Sequence, residues 1–281
     1  VISEYYDKVS MLSARSDEIF GVPTGLIDLD RLLGGMQKSD LLIVAGRPAS
    51  GKTGFLLTVA KNTAIIHKKH VAIFSLEMSN EQLVQRMIAQ ETNINTQRLR
   101  SGKIEEHEWD SFAQAVEVLS NTKIFLDDTP ALTPFQLRTK CRRMHLEHHI
   151  DLILVDYIQL MSGDTRTENR VQEVSYISRN LKTLARELNV PVLAAAQLSR
   201  AVEQRSDKRP MLSDLRESGS LEQDADVVMF LHKKEDDMAE TDRSQLVELM
   251  VAKHRNGPTK NIELIFLKDL AQFYNAKTVD K

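Results

Sequence analysis

Apolar positions along the chain follow two periods, and the places where one gives way to the other lay out the fold. Short β-rich runs, Leu41–Ala45, Val71–Ser75, Lys123–Leu126, Leu152–Val155 and Val192–Ala196, alternate with longer stretches of helical spacing. Between the last two runs, Val171, Val174, Ile177, Leu181, Leu184 and Leu188 recur three or four apart among Glu, Lys and Arg, which predicts a crossover helix with one buried face. Continuous apolar strands separated by such helices are the pattern of a parallel sheet covered on both faces. After residue 226 the texture changes. Val227–Leu231, Leu246–Ala252 and Ile262–Phe266 follow one another with turns and no long helix between them, which predicts an antiparallel extension. The acidic stretch Glu235–Asp242 reads as a solvated loop.

At the other end, Ile2, Tyr5, Val9 and Leu12 form an amphipathic stripe over residues 1–18, and such a stripe needs a partner to cover it. Gly21-Val22-Pro23-Thr24-Gly25 breaks that pattern, and the segment up to Gly34-Gly35 reads as a short helix closed by a glycine stop. The expected organisation is therefore a helix over 1–18 and one large α/β domain over 19–281. Trp109, Phe112, Ala115, Val116 and Leu119 also have helical spacing and read as packing rather than as a base-stacking platform.

Composition narrows the class. The 281 residues are 42% hydrophobic and 27% charged, with no apolar run near the roughly 20 residues a membrane span needs. A single cysteine, Cys141, can form neither an internal disulfide nor a thiolate metal cluster, which fits a reducing cytosol. A net charge of −3 does not announce a DNA-coating protein, so any DNA contact is expected to be local. The chain opens at Val1 without a signal pattern and is read as part of something longer.

The strongest chemical signal is Gly46-Arg47-Pro48-Ala49-Ser50-Gly51-Lys52-Thr53, with Gly54 following. It matches G-x-x-x-x-G-K-[ST] and lies between a predicted strand and a predicted helix, as the motif requires. Glycines let successive backbone N–H groups turn inward toward phosphate oxygens, and the following helix adds its positive end. Lys52 is placed to reach the β- and γ-phosphates of ATP and Thr53 to ligate Mg²⁺.

In open parallel sheets, ligands bind beyond the carboxyl ends of the strands. Three other strand ends carry polar groups. Asp156 ends Leu152–Val155 in the form of an acid that holds the magnesium, partly through water, although a turn-initiating Asp has the same local pattern. Glu77, just after Val71–Ser75, is suited to polarise an attacking water, and equally to start a helix. Gln197 ends Val192–Ala196 as a γ-phosphate sensor or as a capping amide.

Lys253 and Arg255 precede Asn256-Gly257-Pro258, two cations on one side of a predicted hairpin turn. One reading is protection of an exposed strand edge. The other is a pair of fingers that a neighbouring subunit inserts against transferring phosphate. The polar stretches 162–170 and 200–220 hold Arg166, Arg170, Arg200, Arg205 and Arg216 with few aromatics, which suits contacts to a nucleic-acid backbone. His145, His148 and His149 beside Arg142 and Arg143 read as a solvated helix end rather than a metal site.

Taken in order, several stretches resemble the C-terminal motor domain of DnaB-type replicative DNA helicases, almost end to end. They are Gly21–Gly25 with Asp28-Leu29-Asp30, the loop Gly46–Thr53, Ser75-Leu76-Glu77-Met78-Ser79, Val155–Leu160, Gln197-Leu198-Ser199-Arg200, Asp214–Gly219 and Lys253–Pro258. The resemblance implies a RecA-like fold and a homo-hexameric ring with ATP at each subunit interface. It further implies 5′ to 3′ translocation on single-stranded DNA, with a primase and a helicase loader as partners. It implies that Glu77 is the catalytic base, that Lys253 and Arg255 act in trans, that Arg86 contacts the γ-phosphate, and that Arg216, Glu217 and Gly219 grip DNA. By the same likeness, residues 1–18 are the linker helix that docks on the next subunit. Members often carry Met where this chain has Ser50, a position that offers phosphate mainly its backbone N–H. A recombinase-like or clock-like ATPase, in which nucleotide controls assembly, shares the loop, Asp156 and Gln197 and stands as the alternative.

Overall fold

The computed structural model describes Ile2 and residues 19–164, 169–199, 202–203, 205, 207–218, 220–233 and 243–276, the side chains of 216–218 excepted. Apart from Ile2, the expected linker helix lies outside these residues, as do the acidic stretch 235–242, Arg166, Arg200 and Gly219.

A short helix, α1 (Ile27–Leu33), leads into β1 (Leu41–Gly46), α2 (Lys52–Ile65), β2 (Val71–Ser75), α3 (Asn80–Thr92), α4 (Thr96–Arg100), α5 (Trp109–Ser120) and β3 (Ile124–Asp127). Then come α6 (Pro134–His148), β4 (Leu152–Asp156), α7 (Arg170–Leu188), β5 (Val192–Gln197), α8 (Leu221–Asp224) and the strands β6 (Val227–Lys233), β7 (Ser244–His254), β8 (Lys260–Leu267) and β9 (Gln272–Asn275). Among the described residues these strands form one sheet in the order β3-β2-β4-β5-β1-β6-β7-β8-β9. It is parallel from β3 to β6 and antiparallel from β6 to β9, the RecA-like arrangement expected from the sequence. β9 is the one strand the apolar pattern does not announce, because Phe273 and Tyr274 are flanked by Gln272 and Asn275 and make no apolar run.

The period-two pattern of β1 explains why both faces are covered. Leu41, Ile43 and Ala45 join one core with Leu137 and Cys141 of α6 and with Ile177 and Leu181 of α7. Leu42 and Val44 join the other with Phe55, Leu56 and Val59 of α2 and with Leu29 and Leu33 of α1. Burial pushes the Cys141 thiol well above its usual value, so it is an inert core group.

Local chemistry fixes the ends. Asp30 accepts Thr24 N (2.7 Å), Thr24 Oγ1 (2.8 Å) and Gly25 N (2.9 Å), which accounts for the Thr24-Gly25 and Asp30 spacing at the start of the domain. Gly34 closes α1 in the left-handed conformation, as its glycine predicted. Capping boxes open α3 (Ser79 with Gln82) and α6 (Thr133 with Gln136, Pro134 at its first turn).

The stripe from Trp109 to Leu119 lies on a helix, as its spacing predicted, and its seat is shallow. α5 buries only Ala115, while Trp109 is 52% exposed and edge-on to Phe112. The helix rests on α3 and touches the core through Leu119, so its apolar stripe is covered only in part.

Candidate nucleotide site

The carboxyl ends of β1, β2, β4 and β5 converge on one cavity of about 350 Å³, lined among others by Gly51, Lys52, Thr53, Gly54, Glu77, Arg86, Tyr157 and Gln197. The loop between β1 and α2 has the geometry its glycines allow. Gly51 takes φ +92° at the N-cap of α2, and a Cβ on Gly46 would lie 2.3 Å from Ser50 Oγ. Ala49 also adopts positive φ, and Ser50 N donates to Arg47 O at 3.1 Å. Arg47, Pro48, Ala49 and Ser50 thus form the turn of the loop, with Pro48 and Ala49 lining the cavity.

Lys52 Nζ donates to Gly46 O and Arg47 O, each at 3.0 Å, at the centre of the loop. Burial lowers its proton affinity, and the charges of Asp156 and Glu77 oppose that shift. Burial likewise lowers the affinity of Arg86, again countered by Asp156 and Glu77. Two cations and two carboxylates therefore face one small space.

Thr53 Oγ1 donates to Asp156 Oδ2 at 2.6 Å. Asp156 is 2% exposed, and its second oxygen, Oδ1, has no hydrogen-bond partner. Burial raises the pKa of this carboxyl, and Glu77 adds to the rise, while the Thr53 hydrogen bond, Lys52 and Arg86 pull it down. A buried carboxylate oxygen without a partner, next to a threonine hydroxyl, is a donor set that fits a hydrated Mg²⁺ ion.

The neighbouring strand ends are stitched together. Leu76 N donates to Asp156 O at 2.7 Å and Met78 N to Ser75 Oγ at 3.1 Å, which holds exposed Glu77 at the cavity mouth. Gln197 exchanges backbone hydrogen bonds with the Gln159 amide, both 3.1 Å, tying β5 to the turn after β4.

The sequence reading missed the cavity's other wall. Phe266 and Ala271 reach it from the β8–β9 hairpin, and Phe273 packs against Gly51. Gln90 Nε2 donates to Ala271 O at 2.8 Å, and buried Lys61 donates to Gln90 O at 3.0 Å, so α2 and α3 together hold that hairpin. Phe266 stood in a predicted strand, but nothing local told that the strand doubles back over the loop.

Lys253 and Arg255 are not in this cavity. Their hairpin base lies level with the start of β1, since Leu42 pairs with Val227 and Val227 with His254. Gly46 is four residues further along β1, about 13 Å at the rise of a strand. As the period-two rule predicted, both cations face one element: Lys253 Nζ donates to Glu222 O (2.6 Å) and Ala225 O (2.7 Å), and Arg255 to Gln223 O (3.1 Å). At the same edge, Asp226 receives Lys182 at 2.5 Å and Leu41 N at 2.9 Å. Asp40 lies 3.8 Å from Lys182, and burial together with the Asp226 charge pushes its pKa up to about 6.

Arg216 and Glu217 fall in a 3₁₀ helix, Leu212–Ser218, between β5 and α8. His148 stacks on Phe125 and His145 pairs with Ile150 O, and among the described residues no group of three or more His, Cys, Asp or Glu could hold a metal. Nor, among the described residues, is any helix long and apolar enough to cross a membrane.

A glycine-cradled loop between strand and helix, with an acid, a glutamate and a glutamine at adjacent strand ends of a mixed sheet, defines a RecA-like P-loop nucleotide-binding domain. The model of the DnaB-like helicase C-terminal domain family matches residues 21–275, and the chain belongs to that family. It is 50% identical over 276 residues to the replicative DNA helicase DnaB of Geobacillus stearothermophilus, and equally to the replicative DNA helicase DnaC of Bacillus subtilis. Each match covers 98% of this chain and 61% of the relative, so the chain spans about three fifths of their length. Among solved structures, one ATPase domain superposes with a TM-score of 0.91 at 36% identity over 99% of both chains. A DnaB-like replicative helicase, solved with its interactions with primase, gives 0.89 at 35% identity over 99% of this chain and 67% of that one.

Proposed function

We propose that this chain is the ATP-driven motor domain of a replicative DNA helicase, acting as a homo-hexameric ring that translocates 5′ to 3′ on single-stranded DNA and unwinds duplex. The observation that carries the reading is the separation along β1. The phosphate loop sits at one end of the strand and the Lys253–Arg255 pair at the other, so the pair can complete a nucleotide site only on a neighbouring copy. The relatives' names support the same activity.

In this reading Gly46–Gly54 wrap the phosphates, Lys52 and Arg86 balance their charge, and Thr53 with Asp156 holds Mg²⁺, which neutralises charge developing on the transferred group. Glu77, exposed at the cavity mouth, orients a water and accepts its proton. Gln197 senses the γ-phosphate through its side chain while its backbone stays anchored to Gln159. Lys253 and Arg255 of the next subunit complete the charge balance in trans. Arg216, Glu217 and Gly219 contact the DNA backbone, where binding is salt-dependent and blind to sequence. Residues 1–18 act as the linker helix on the adjacent subunit, and primase and a helicase loader are the protein partners in the cytoplasm.

The test is ATP hydrolysis by the full-length ring with and without single-stranded DNA, together with unwinding of a forked duplex bearing a 5′ tail. DNA-stimulated hydrolysis with unwinding is expected. Hydrolysis that ignores DNA, with no unwinding, would sink the proposal and favour a recombinase-like or clock-like ATPase.

A further inference from the structure

The P-loop arginine points away from the phosphate cradle. Arg47 precedes Pro48, whose ring biases the preceding residue toward an extended backbone, and the Arg47 guanidinium turns outward to the segment that follows β5. There it makes three hydrogen bonds. NH1 donates to Leu198 O at 3.1 Å, while Nε and NH2 both donate to Glu203 Oε1, at 2.9 and 2.5 Å. Leu198 N in turn donates to Gly46 O at 3.3 Å. The residue immediately after Gln197 is therefore held at both its N–H and its carbonyl by Gly46 and Arg47, and the same guanidinium holds Glu203 five residues on.

The far end of that segment is strapped as well. Arg205 donates to Asp214 Oδ2 at 2.7 Å, Met211 N donates to the same oxygen at 2.8 Å, and Ser199 N reaches Asp214 O at 3.5 Å. Asp214 lies within the 3₁₀ helix Leu212–Ser218. Polar contacts thus tie the segment at two places, Leu198 and Glu203 to Arg47 of the phosphate loop, and Ser199 and Arg205 to Asp214 of the helix that carries Arg216 and Glu217.

We infer that Glu203 is a positioning residue that couples the phosphate loop to the segment between β5 and the 3₁₀ helix, with Arg47 as its partner. The inference rests on the motor reading above and adds a second link beside Gln197. Glu203 is 57% exposed and Arg47 21%, and ion pairs so open to water add little to stability. What the pair does instead is geometric: two guanidinium donors that converge on one oxygen of Glu203, with a third on Leu198 O, fix where that oxygen sits relative to the phosphate loop. A loop that shifts when it closes on phosphate carries Arg47 with it, and Glu203 moves accordingly.

Glu203→Gln in the full-length protein is the test. The melting temperature and the ATPase rate without DNA should match wild type, whereas the stimulation ratio given by single-stranded DNA should fall roughly threefold or more. The charge-swapped pair Arg47→Glu with Glu203→Arg should recover part of the ratio lost in Arg47→Glu alone. A Glu203→Gln enzyme stimulated as strongly as wild type, or a swap no better than Arg47→Glu, overturns the coupling role. A wild-type enzyme that DNA fails to stimulate overturns the motor reading itself, and the coupling with it.

Discussion

Thr53, in the first turn of α2, and Asp156, at the end of β4, lie 103 residues apart and meet in a hydrogen bond of 2.6 Å that leaves Asp156 Oδ1 buried without a partner. A hydroxyl and a carboxylate so arranged share one oxygen between them and reserve the other. Asp156→Asn should weaken the apparent Mg²⁺ affinity of the ATPase about 10- to 100-fold, the range for a group that acts on a metal through its bound water. Because the carboxyl is held above its usual pKa by burial, the variant should melt no lower than wild type at pH 7.5. A magnesium titration of ATPase rate checks the first outcome and calorimetry the second; unchanged magnesium dependence would remove Asp156 from the metal site.

Glu77 has a different signature. Glu77→Gln keeps the size and removes the base, so the rate of hydrolysis should drop about 10²- to 10⁴-fold while nucleotide affinity changes by no more than a few fold. Single-turnover hydrolysis and nucleotide titration separate the two. Loss of affinity with the hydrolysis rate intact would make Glu77 a binding group.

For Arg255 the informative experiment mixes subunits. Arg255→Ala rings should lose about 10³-fold or more in ATPase. Doping them with Lys52→Ala subunits, themselves inactive, should restore activity, because interfaces then form in which an intact phosphate loop faces an intact Arg255. No recovery at any mixing ratio argues for fingers that act within one chain.

Gly54 sits in the first turn of α2, where alanine would ordinarily add helix stability of about 1 kcal/mol. Here the sign should reverse. A Cβ at this position meets Ala271 O at 2.4 Å, a backbone atom that Gln90 holds in place. Gly54→Ala should lower the melting temperature and weaken nucleotide binding by displacing the β8–β9 hairpin; a more stable variant with normal affinity would show that the hairpin yields freely.

Asp40 titrates near 6 in the fold against 3.8 when unperturbed, so the native state holds this proton more tightly than the unfolded chain does. The cost of the buried charge is therefore fully present above about pH 6 and is relieved as pH falls toward 4. Asp40→Asn should stabilise the protein at pH 7.5 by about 1 kcal/mol, less than the roughly 3 kcal/mol a two-unit shift represents because the asparagine amide must itself be desolvated at this half-buried position. The gain should shrink as pH falls through 6, measured by thermal melts between pH 5 and 8. A constant gain across that range would assign it to packing instead.

Much of this site could be read from the chain because each part is local. A strand, a glycine loop and a helix start are contiguous at Gly46–Gly54, and Asp156, Glu77 and Gln197 each end an apolar run. What could not be read depends on pairing between distant segments. That Phe266 and Ala271 wall the cavity follows from β8 and β9 folding back over α2, and β9, with two apolar residues between Gln272 and Asn275, does not signal itself. That Lys253 and Arg255 stand at the opposite edge from Gly46 follows from the antiparallel register of β7 on β6. Trp109 shows where the pattern stops: helical spacing announces a packed helix, but it does not say that the neighbour is α3 or how deep the seat is.

The distance between Gly46 and Arg255 along the sheet has an arithmetical effect on any assembly built this way. Each copy offers one half of a reaction centre at either edge, so a closed circle of subunits has as many complete centres as members. If one junction is prised apart to admit a strand, one phosphate loop is left without its visitor and one basic pair without its host. Opening the circle would then silence a single centre, at the gap, while the others go on working.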